Sequence, residues 1–323
     1  MEKVLVTGAG GFIGHNMVKY LKGLGYWVRG VDIKKPEYEP SPADEFEVLD
    51  LRLKDATLKA TKGVNHVYNF AANMGGIGFI ETVHAEIMHD NVLINTNMLE
   101  SSKRNKVKRF FFSSSACIYP TSKQGETENK GLKESDAYPA DPDNEYGWEK
   151  LFTERLCNDY LQDYGFETRV ARFHNIYGPL GTWHGGREKS PAAICRKIAL
   201  AKSVDSIEVW GDGNQGRSFC FVNDCVEGVY KLMQSNIKEP INIGSDRMVS
   251  INELIDIVAK IAGKKIDKRY DKSKPQGVRG RNSDNTLIKE LLKWEPSTTL
   301  EKGLLETYQW ISSQIEQTSY KQD

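Results

Sequence analysis

Three glycines that follow the first apolar run of the chain constrain its fold more than any other feature. Residues 3–7 form a short run rich in β-branched side chains, with apolar residues at 4–6, and Gly8, Gly11 and Gly14 come directly after it. Apolar residues then recur at helical spacing over residues 12–21. A strand, a glycine turn and a helix in this order predict a βα unit whose helix N-terminus binds a phosphate group.

The same alternation continues over the first half of the chain. Strand-like runs are expected at residues 27–32, 46–49, 64–70, 107–113 and 168–173, with helices near residue 56 and over residues 87–103 and 146–164. Alternation of this kind predicts a parallel sheet covered by helices on both faces. The fold class is therefore α/β, a doubly wound (Rossmann) sheet followed by a smaller C-terminal α/β lobe.

The length of 323 residues favours two lobes, because single cores stop growing at about 250 to 300 residues. We expect a dinucleotide-binding domain over residues 1–175 and a substrate-binding lobe over residues 176–323, with residues 219–245 folding back onto the first domain. Residues 120–144 hold three prolines and no sustained period. Long irregular segments inside a compact domain are usually functional, so we expect a loop there that serves the site.

The composition excludes several partners. The chain has 44 basic and 44 acidic residues and a formal charge of +0, so neither nucleic acid nor an anionic membrane is an expected partner. It has no apolar run of the roughly 18 residues that a membrane span needs. Its five cysteines lack metal-ligand spacing, which favours free thiols, a cytoplasmic location and no metal site.

Asp32 lies at the end of the second predicted strand, 18 residues after Gly14. A carboxylate at this place binds both ribose hydroxyls and repels a 2′-phosphate, which favours NAD over NADP. Lys34 and Lys35 are close enough to weaken that preference. Asp50, after the third predicted strand, is expected to place a second carboxylate near the adenine.

Tyr146 and Lys150 are four residues apart on a predicted helix and therefore share one of its faces. We expect the lysine ammonium to lower the pKa of the phenol from about 10 toward neutrality. A phenol tuned in this way exchanges a proton with a sugar or alcohol oxygen while hydride moves. Four-residue spacing alone is common, but behind a glycine turn it indicates a dehydrogenase-like site.

These motifs resemble the extended short-chain dehydrogenase/reductase family of nucleotide-sugar enzymes. The segments that carry the resemblance are Gly8, Gly11 and Gly14, residues 69–72, residues 113–120, and Tyr146 with Lys150. The resemblance implies NAD as cofactor, Ser115 as the partner of Tyr146, and Lys150 as the residue that holds the nicotinamide ribose. The cofactor contacts it implies are Gly8, Gly11, Phe12, Ile13, Gly14, Asp32, Asp50, Ala71, Tyr146 and Lys150.

A closer similarity is to epimerases of GDP-hexoses within that family. It is carried by residues 74–76, 116–120, 172–179, 185–189, 210–213 and 278–285. It implies that Cys117 and Lys189 are the acid/base pair that inverts ring carbons. The substrate contacts it implies are Gly75, Ser115, Cys117, Asn175, Lys189, Lys197, Gln215, Arg217 and Arg281, with Arg279 as a less certain second arginine.

The residues themselves are compatible with that chemistry. Cys117 is two residues beyond Ser115 at an expected strand end, which predicts that both side chains point the same way. A thiol becomes a usable base when a cation lies nearby, and Lys189, in a Gly-rich loop, is expected on the other ring face. Oxidation at carbon 4 then allows inversion at carbon 3, carbon 5 or both, with no net redox change. The resemblance implies GDP-mannose as the sugar nucleotide. The family also implies a homodimer built through two helices.

Four alternatives stay open at this point. A GDP-fucose synthase-type epimerase/reductase would end with reduction by NADPH, and Asp32 argues against it. A UDP-sugar 4-epimerase needs no thiol at Cys117, and a 4,6-dehydratase would need an acidic pair where Ala116 and Cys117 stand. A non-catalytic NAD-binding regulator has no physical need to keep Ser115, Tyr146 and Lys150 together.

Overall fold

The computed structural model describes residues 2–318 and Tyr320. The strands are β1 (Lys3–Thr7), β2 (Trp27–Asp32), β3 (Glu45–Val48), β4 (His66–Asn69), β5 (Arg109–Ser115), β6 (Glu167–Phe173), β7 (Ile176–Tyr177), β8 (Val204–Trp210), β9 (Gly216–Ser218), β10 (Cys220–Phe221), β11 (Ile241–Ile243), β12 (Met248–Ser250), β13 (Lys265–Asp271) and β14 (Gly280–Arg281). The helices are α1 (Phe12–Gly23), α2 (Lys54–Thr61), α3 (Ile77–Ile80), α4 (Ala85–Arg104), α5 (Glu145–Tyr164), α6 (Ser190–Leu200), α7 (Val222–Gln234), α8 (Ile251–Ala262), α9 (Thr286–Leu292) and α10 (Leu300–Thr318). Among the described residues, no helix combines the length and the apolar character required to cross a bilayer.

Seven parallel strands form the central sheet, in the order β11-β6-β5-β4-β1-β2-β3. This arrangement confirms the doubly wound sheet predicted from the alternation of elements. The chain runs outward from β1 to β3 and then returns to β4 on the other side of β1. In such sheets a ligand crevice opens where the order reverses, at the carboxyl ends of the strands. Here that point lies between β1 and β4.

Alternate residues of the buried strands pack on opposite faces of the sheet. In β1, Val4 and Val6 lie in a cluster with apolar residues of α1 and α7. Leu5, between them, lies in the opposite cluster with residues of α2, α4 and α5. Strands covered on both faces must be apolar throughout, which explains the unbroken Val-Leu-Val run that identified β1 in the sequence.

Residues 219–245, predicted from the sequence to fold back onto the first domain, include β10, α7 and β11. Ile241 of β11 lies opposite Ala171 of β6, so β11 forms an edge of the central sheet. Helix α7 packs against α1 on one face of that sheet. The chain thus re-enters the sheet after it has left for the second lobe.

The second lobe has its own apolar cluster, formed by α6, α8 and α10 with residues of β8, β10 and β12. Ser250 and Glu253 form a capping box at the start of α8, and Gly263 ends that helix at a φ of 64°. Both signals are of the kind that fixes helix ends locally. The lobe also holds the parallel pair β8-β13 and the small sheet β12-β9-β14.

The irregular segment at residues 120–144 is tied to the second lobe. Leu132 forms a bridge with Ser283, and Pro120 forms another with Pro142. The segment contains two short 3₁₀ helices, Thr121–Lys123 and Glu134–Ala137. This loop therefore links the end of β5 to the chain around β14.

A buried ion pair gives a first test of the packing. Glu154 of α5 accepts from Arg172 of β6 at 2.8 Å, and both side chains are 4% exposed. Glu154→Gln leaves the buried guanidinium without its counter-charge, so we expect a loss of about 3 to 5 kcal/mol in the free energy of unfolding, measured in urea. Glu301→Gln is the control, because its partner Arg247 is about half exposed. That variant should lose about 1 kcal/mol or less in the free energy of unfolding. Equal losses in the two variants would contradict the conclusion that burial makes the Glu154–Arg172 pair the more important one.

Candidate active site

Two adjoining cavities lie at the carboxyl ends of the central strands. The first has a volume of about 660 Å³ and reaches the glycine turn after β1. The second has a volume of about 350 Å³ and extends toward the second lobe. Ser115, Tyr146 and Lys189 line both cavities, so they stand at the junction. Lys150 lines the first cavity and Cys117 the second.

The glycine turn makes room at the base of the first cavity. Gly8 has a φ of 67°, and a Cβ there would lie 2.9 Å from the backbone nitrogen of Ala71. A Cβ on Gly14 would lie 2.1 Å from the carbonyl oxygen of Gly8. The turn therefore tolerates no side chain at either position. Helix α1 starts just after Gly11, so its free N–H groups face the cavity and suit a pyrophosphate.

Asp32 closes the other side of the turn. Its carboxylate accepts from the backbone N–H of Gly10 at 2.9 Å and of Lys34 at 3.1 Å. Desolvation raises the pKa of Asp32, and the backbone donors oppose that rise. The turn and this carboxylate together fit the pyrophosphate and ribose of a dinucleotide.

The structure brings all the sequence-predicted cofactor residues to the first cavity. Asp50 lines it as well, but its carboxylate is paired with Arg52 at 2.8 Å. The hydrogen bond from Arg52 lowers the pKa of Asp50. The predicted cofactor residues that line the first cavity are Gly8, Gly11, Phe12, Ile13, Gly14, Asp32, Asp50, Ala71, Tyr146 and Lys150.

Ser115 and Cys117 both line the second cavity, but they are not alternate residues of one strand as predicted. Strand β5 ends at Ser115, and Ala116–Ile118 form a 3₁₀ turn. The hydroxyl of Ser115 accepts from the backbone N–H of Cys117 at 3.2 Å. The prediction that strand alternation aligns the two side chains was therefore wrong. A helical turn capped by the serine side chain brings them together instead.

Gly147 lets α5 approach this turn. A Cβ at Gly147 would lie 2.2 Å from the carbonyl oxygen of Cys117. The helix is capped by Asn144, whose side-chain oxygen accepts from the N–H of Gly147 at 3.0 Å. The first turn of α5, which carries Tyr146, thus lies directly on the turn that carries Cys117.

The electrostatics of Tyr146 differ from the prediction. Burial, together with the nearby carboxylate of Glu149 and the thiol of Cys117, raises the pKa of Tyr146 well above 10. The ammonium of Lys150 lies 5.2 Å from the centre of the phenol ring and 3.5 Å from a carboxylate oxygen of Glu149. The expectation that Lys150 moves the pKa toward neutrality was wrong, because the lysine faces its own buried counter-ion.

Sequence reasoning missed Glu149, which is fully buried. Its carboxylate accepts from Asn91 at 3.0 Å and from Asn95 at 3.3 Å, both on α4. A signal was available, because the residues of α5 at helical spacing on the buried face are largely polar. They are Tyr146, Glu149, Lys150, Thr153, Glu154 and Cys157. A polar inward stripe indicates a site more strongly than the Tyr-Lys spacing alone.

Lys189 does not lie in a free loop, because the residues that precede and follow it in the chain are fixed by contacts. It is the N-cap residue of α6, and its neighbour Glu188 pairs with Arg196 at 2.9 Å. The preceding chain passes Gly76, whose N–H donates to the carbonyl of Arg187 at 2.9 Å. A Cβ at Gly76 would lie 2.3 Å from the carbonyl oxygen of Glu188, which explains the glycine there. Desolvation lowers the pKa of Lys189.

Nearly all the sequence-predicted substrate residues line the second cavity. They are Gly75, Ser115, Cys117, Asn175, Lys189, Lys197, Gln215, Arg217 and Arg281. Burial and the charge of Arg281 lower the pKa of Arg217 to about 9. Burial also lowers the pKa of Lys197, whose ammonium donates to the carbonyl of Glu208.

Arg279 does not join them, although it is two residues from Arg281. Its guanidinium makes two hydrogen bonds of 3.1 Å to Asp212, and neither residue lines the cavity. Arg281 instead reaches the sulfur of Cys117 at 3.2 Å. The cation expected near the thiol is therefore an arginine of the second lobe.

All five cysteines are free thiols. Four of them are buried, and desolvation raises the pKa of each; these are Cys157, Cys195, Cys220 and Cys225. Cys117 is half-buried and faces the second cavity. Within the part of the chain that the structure describes, no three His, Cys, Asp or Glu side chains are grouped so that they could hold a metal ion.

The chain matches a known protein family and is similar to known proteins over nearly its whole length. The profile of the NAD dependent epimerase/dehydratase family matches residues 4–244. The chain is 53% identical to GDP-mannose 3,5-epimerase of Arabidopsis thaliana, over 99% of this chain and 84% of the relative. It is 54% identical to GDP-mannose 3,5-epimerase 1 of Oryza sativa subsp. japonica, over 97% of this chain and 82% of the relative.

A solved structure is similar over almost the whole chain. The UDP-glucose 4-epimerase of Thermotoga maritima, solved with UDP-glucose, superposes with a TM-score of 0.86 at 27% identity. The superposition covers 97% of this chain and 99% of the other. The two-lobed architecture is thus shared with a nucleotide-sugar epimerase.

The glycine turn gives a second test. Gly14→Ala places a methyl group against the carbonyl of Gly8, so the turn must open and NAD affinity should fall at least about 100-fold, or about 3 kcal/mol. Calorimetric titration of NAD into cofactor-free protein measures the change. Gly23→Ala is the matched control, since a Cβ there meets no atom within 4 Å. Equal affinity of the two variants would show that the turn is not the pyrophosphate site.

Proposed function

Since the chain belongs to the NAD dependent epimerase/dehydratase family, we propose that it acts as a GDP-mannose 3,5-epimerase. This isomerase would convert GDP-D-mannose to GDP-L-galactose, and would form GDP-L-gulose when carbon 5 alone is inverted. One observation carries the proposal. Ser115, Tyr146 and Lys189 stand where the dinucleotide cavity meets a second cavity lined by a thiol and three arginines.

The residues at the junction suit a transient oxidation. NAD, which the glycine turn, Asp32 and Lys150 would hold, would supply a reversible hydride acceptor for carbon 4 of the sugar, so the overall reaction has no net redox change. The carbon 4 hydroxyl loses its proton in the same step. Tyr146 is placed to accept that proton and, with Ser115, to donate hydrogen bonds to the same oxygen when it carries the enolate charge. Aimed donors of this kind commonly contribute about 3 to 4 kcal/mol each. The resulting ketone acidifies the hydrogens on carbons 3 and 5.

Inversion needs one group that removes a proton and another that returns a proton on the opposite ring face. We assign these roles to Cys117 and Lys189. Cys117 lines the second cavity, and the Arg281 guanidinium donates to its sulfur at 3.2 Å. Desolvation lowers the pKa of Lys189, which eases its loss of a proton to the ring.

The second cavity suits a nucleoside diphosphate. Arg217 and Lys197 supply positive charge for the two phosphates, and guanidinium forks match their oxygens. The side-chain oxygen of Gln215 is buried and finds no donor among the described residues. That free acceptor suits the N–H edge of a base, and guanine offers three such hydrogens.

The rival function is that of a GDP-fucose synthase-type epimerase/reductase, which would consume NADPH. Asp32 disfavours it, because a carboxylate held by the backbone of the glycine turn repels a 2′-phosphate. A regulator that binds NAD without catalysis is disfavoured by the buried Glu149–Lys150 pair. Burying two charges is costly and is usually kept for a specific role.

We also propose a homodimer in the cytoplasm. Helix α5 turns its polar stripe inward and exposes Trp148 and Phe152, which are 45% and 47% accessible on the outer face. Large apolar side chains one helical turn apart suit packing against the same helices of a second copy. The free thiols are in the state that a reducing compartment maintains.

Loss of either acid/base group should block proton exchange at the ring carbons without blocking oxidation at carbon 4. Cys117→Ala or Lys189→Met should abolish deuterium uptake from heavy water at carbons 3 and 5 of GDP-mannose, because no proton can be exchanged on one ring face. The variants should still form some NADH, since the residues assigned to oxidation are intact. NMR of the sugar and absorbance at 340 nm give the two measurements.

Matched controls are available for both variants. Cys157→Ala removes a thiol from the core of the sheet, and Lys302→Met removes an exposed lysine of α10. Both should retain deuterium uptake. If Cys117→Ala and Lys189→Met lose NADH formation together with deuterium uptake, the two residues are misassigned.

The cofactor balance distinguishes the epimerase from the reductase. Purified protein that retains bound NAD should convert GDP-mannose without added cofactor and without net absorbance change, because hydride is returned to the same sugar. Incubation with GDP-mannose, followed by NMR of the product, tests this. Stoichiometric consumption of NADPH would instead support the reductase.

A further inference from the structure

The buried carboxylate of Glu149 faces hydrogen-bond donors. It accepts from the side-chain amides of Asn91 at 3.0 Å and Asn95 at 3.3 Å, and the ammonium of Lys150 lies 3.5 Å away. Glu149, Asn91 and Asn95 are all 0% exposed. Because these three neighbours all donate, both carboxylate oxygens accept, and the two asparagines turn their NH₂ groups toward Glu149. Their carbonyl oxygens therefore face away from it.

The oxygen of Asn91 holds the backbone that follows β4. It accepts from the N–H of Asn73 at 2.6 Å, and the NH₂ group of Asn91 also donates to the carbonyl of Asn73 at 3.1 Å. A reversed Asn91 amide would place its NH₂ group against the N–H of Asn73, with one donor facing another. The orientation of Asn91 is therefore fixed from both ends.

The oxygen of Asn95 begins a longer chain of hydrogen bonds. It accepts from the NH₂ group of Asn69 at 2.9 Å, and the oxygen of Asn69 accepts from the hydroxyl of Thr7 at 2.7 Å. The oxygen of Thr7 accepts in turn from the backbone N–H groups of Phe70 at 3.1 Å and Ala71 at 3.2 Å. Each group thus donates in the direction of the carboxylate, and the chain ends on the backbone.

The two chains of hydrogen bonds hold one wall of the first cavity, formed by residues 70–73. This wall lies against the glycine turn, because a Cβ on Gly8 would lie 2.9 Å from the backbone nitrogen of Ala71. Close-packed segments of this kind cannot move independently. A displacement of the wall therefore changes the shape of the dinucleotide cavity.

We propose that Glu149 is a positioning residue for NAD: it sets the direction of both hydrogen-bond chains and so holds residues 70–73 in place. Glu149 itself lines neither cavity, so it acts through Asn91 and Asn95 instead of by contact with the cofactor. The inference goes beyond the proposed function, because it concerns cofactor binding and is independent of the sugar nucleotide.

The chemistry of an amide shows where the chain would fail. Glu149→Gln offers one oxygen and one NH₂ group to two asparagines that both donate. Asn91 cannot reverse, so the conflict falls on Asn95. Reversal of Asn95 would reverse Asn69 as well, and the hydroxyl of Thr7 would lose its acceptor. The backbone N–H groups at the end of the chain would then compete with a new donor for one oxygen.

The experiment measures release of NAD from the loaded, full-length protein. The protein is saturated with NAD and mixed with an excess of isotopically labelled NAD, and mass spectrometry of the bound nucleotide follows the exchange. We expect Glu149→Gln to exchange NAD about tenfold faster than the wild type, because buried donors are left opposed to one another.

A second substitution should restore the chain. In the double variant Glu149→Gln with Asn95→Asp, the carboxylate has moved to position 95, where it accepts from Asn69 and from the new amide at position 149. The exchange rate should return to within about threefold of the wild type. If Glu149 served only as the counter-ion of Lys150, the moved carboxylate would lie beyond the amide and would not restore the rate.

A double-mutant cycle with Thr7→Val tests the other end of the chain. Thr7 is fully buried, and valine keeps its shape while it removes the hydroxyl. Thr7→Val alone should speed NAD exchange, and Glu149→Gln should then add less than about threefold, because the chain is already broken. Full additivity of the two effects would show that Glu149 acts through Lys150 instead.

Asp224→Asn is the matched control. The carboxylate of Asp224 is 4% exposed and accepts from the N–H groups of Ser297 and Thr298 at 3.1 Å each, but Asp224 lines neither cavity. This variant should lose stability in urea and keep the wild-type rate of NAD exchange. Equal acceleration in Asp224→Asn and Glu149→Gln would indicate a general loosening of the fold and would contradict a positioning role.

Two further results would overturn the inference. They are a wild-type exchange rate in Glu149→Gln, and a double variant that exchanges NAD as fast as Glu149→Gln alone. If Glu149→Gln does not fold, the double variant must still fold and retain NAD, and its failure to do so would have the same consequence. Since exchange is measured without sugar nucleotide, failure to convert GDP-mannose with these rates as expected would count against the proposed function alone.

Discussion

The contact between the first turn of α5 and the turn after β5 sets the geometry of the whole site. Helix α5 can approach because residue 147 is glycine, where a Cβ would lie 2.2 Å from the carbonyl oxygen of Cys117. This approach places Tyr146 beside Ser115 and Cys117, which come from a different element. Without it, the two cavities would not share a set of reactive groups at their junction.

Helix α5 also carries two buried charged side chains beside the site, and their burial is energetically costly. Glu149 and Lys150 are buried at 0% and 1% exposure, and a buried ion pair often stabilises a fold no better than apolar residues would. The amides of Asn91 and Asn95 satisfy the carboxylate, so the pair is held in one orientation. Such an arrangement is explained by the need to fix the lysine beside the dinucleotide cavity, since apolar packing would have supplied the stability.

The second lobe completes the site rather than merely covering it. It contributes Lys189 at the start of α6 and Arg281 from β14. The irregular segment at residues 120–144 joins the lobes and supplies Gln124 and Asp143, which hold Arg281. The glycine turn and Asp32 of the dinucleotide cavity are close in the chain, while the environment of the thiol depends on contacts between distant parts of the chain.

The sequence by itself determined the parallel sheet, the glycine turn with Asp32, and the shared face of Tyr146 and Lys150. These features depend on short-range patterns of apolar, glycine and helical spacing, which are local in the chain. Tertiary structure alone decided which of Arg279 and Arg281 reaches the thiol, because pairing of β14 with β9 and the contacts of Gln124 set that orientation. It also decided the direction of the pKa of Tyr146, because burial and the position of Glu149 result from packing between helices and cannot be read from residue spacing.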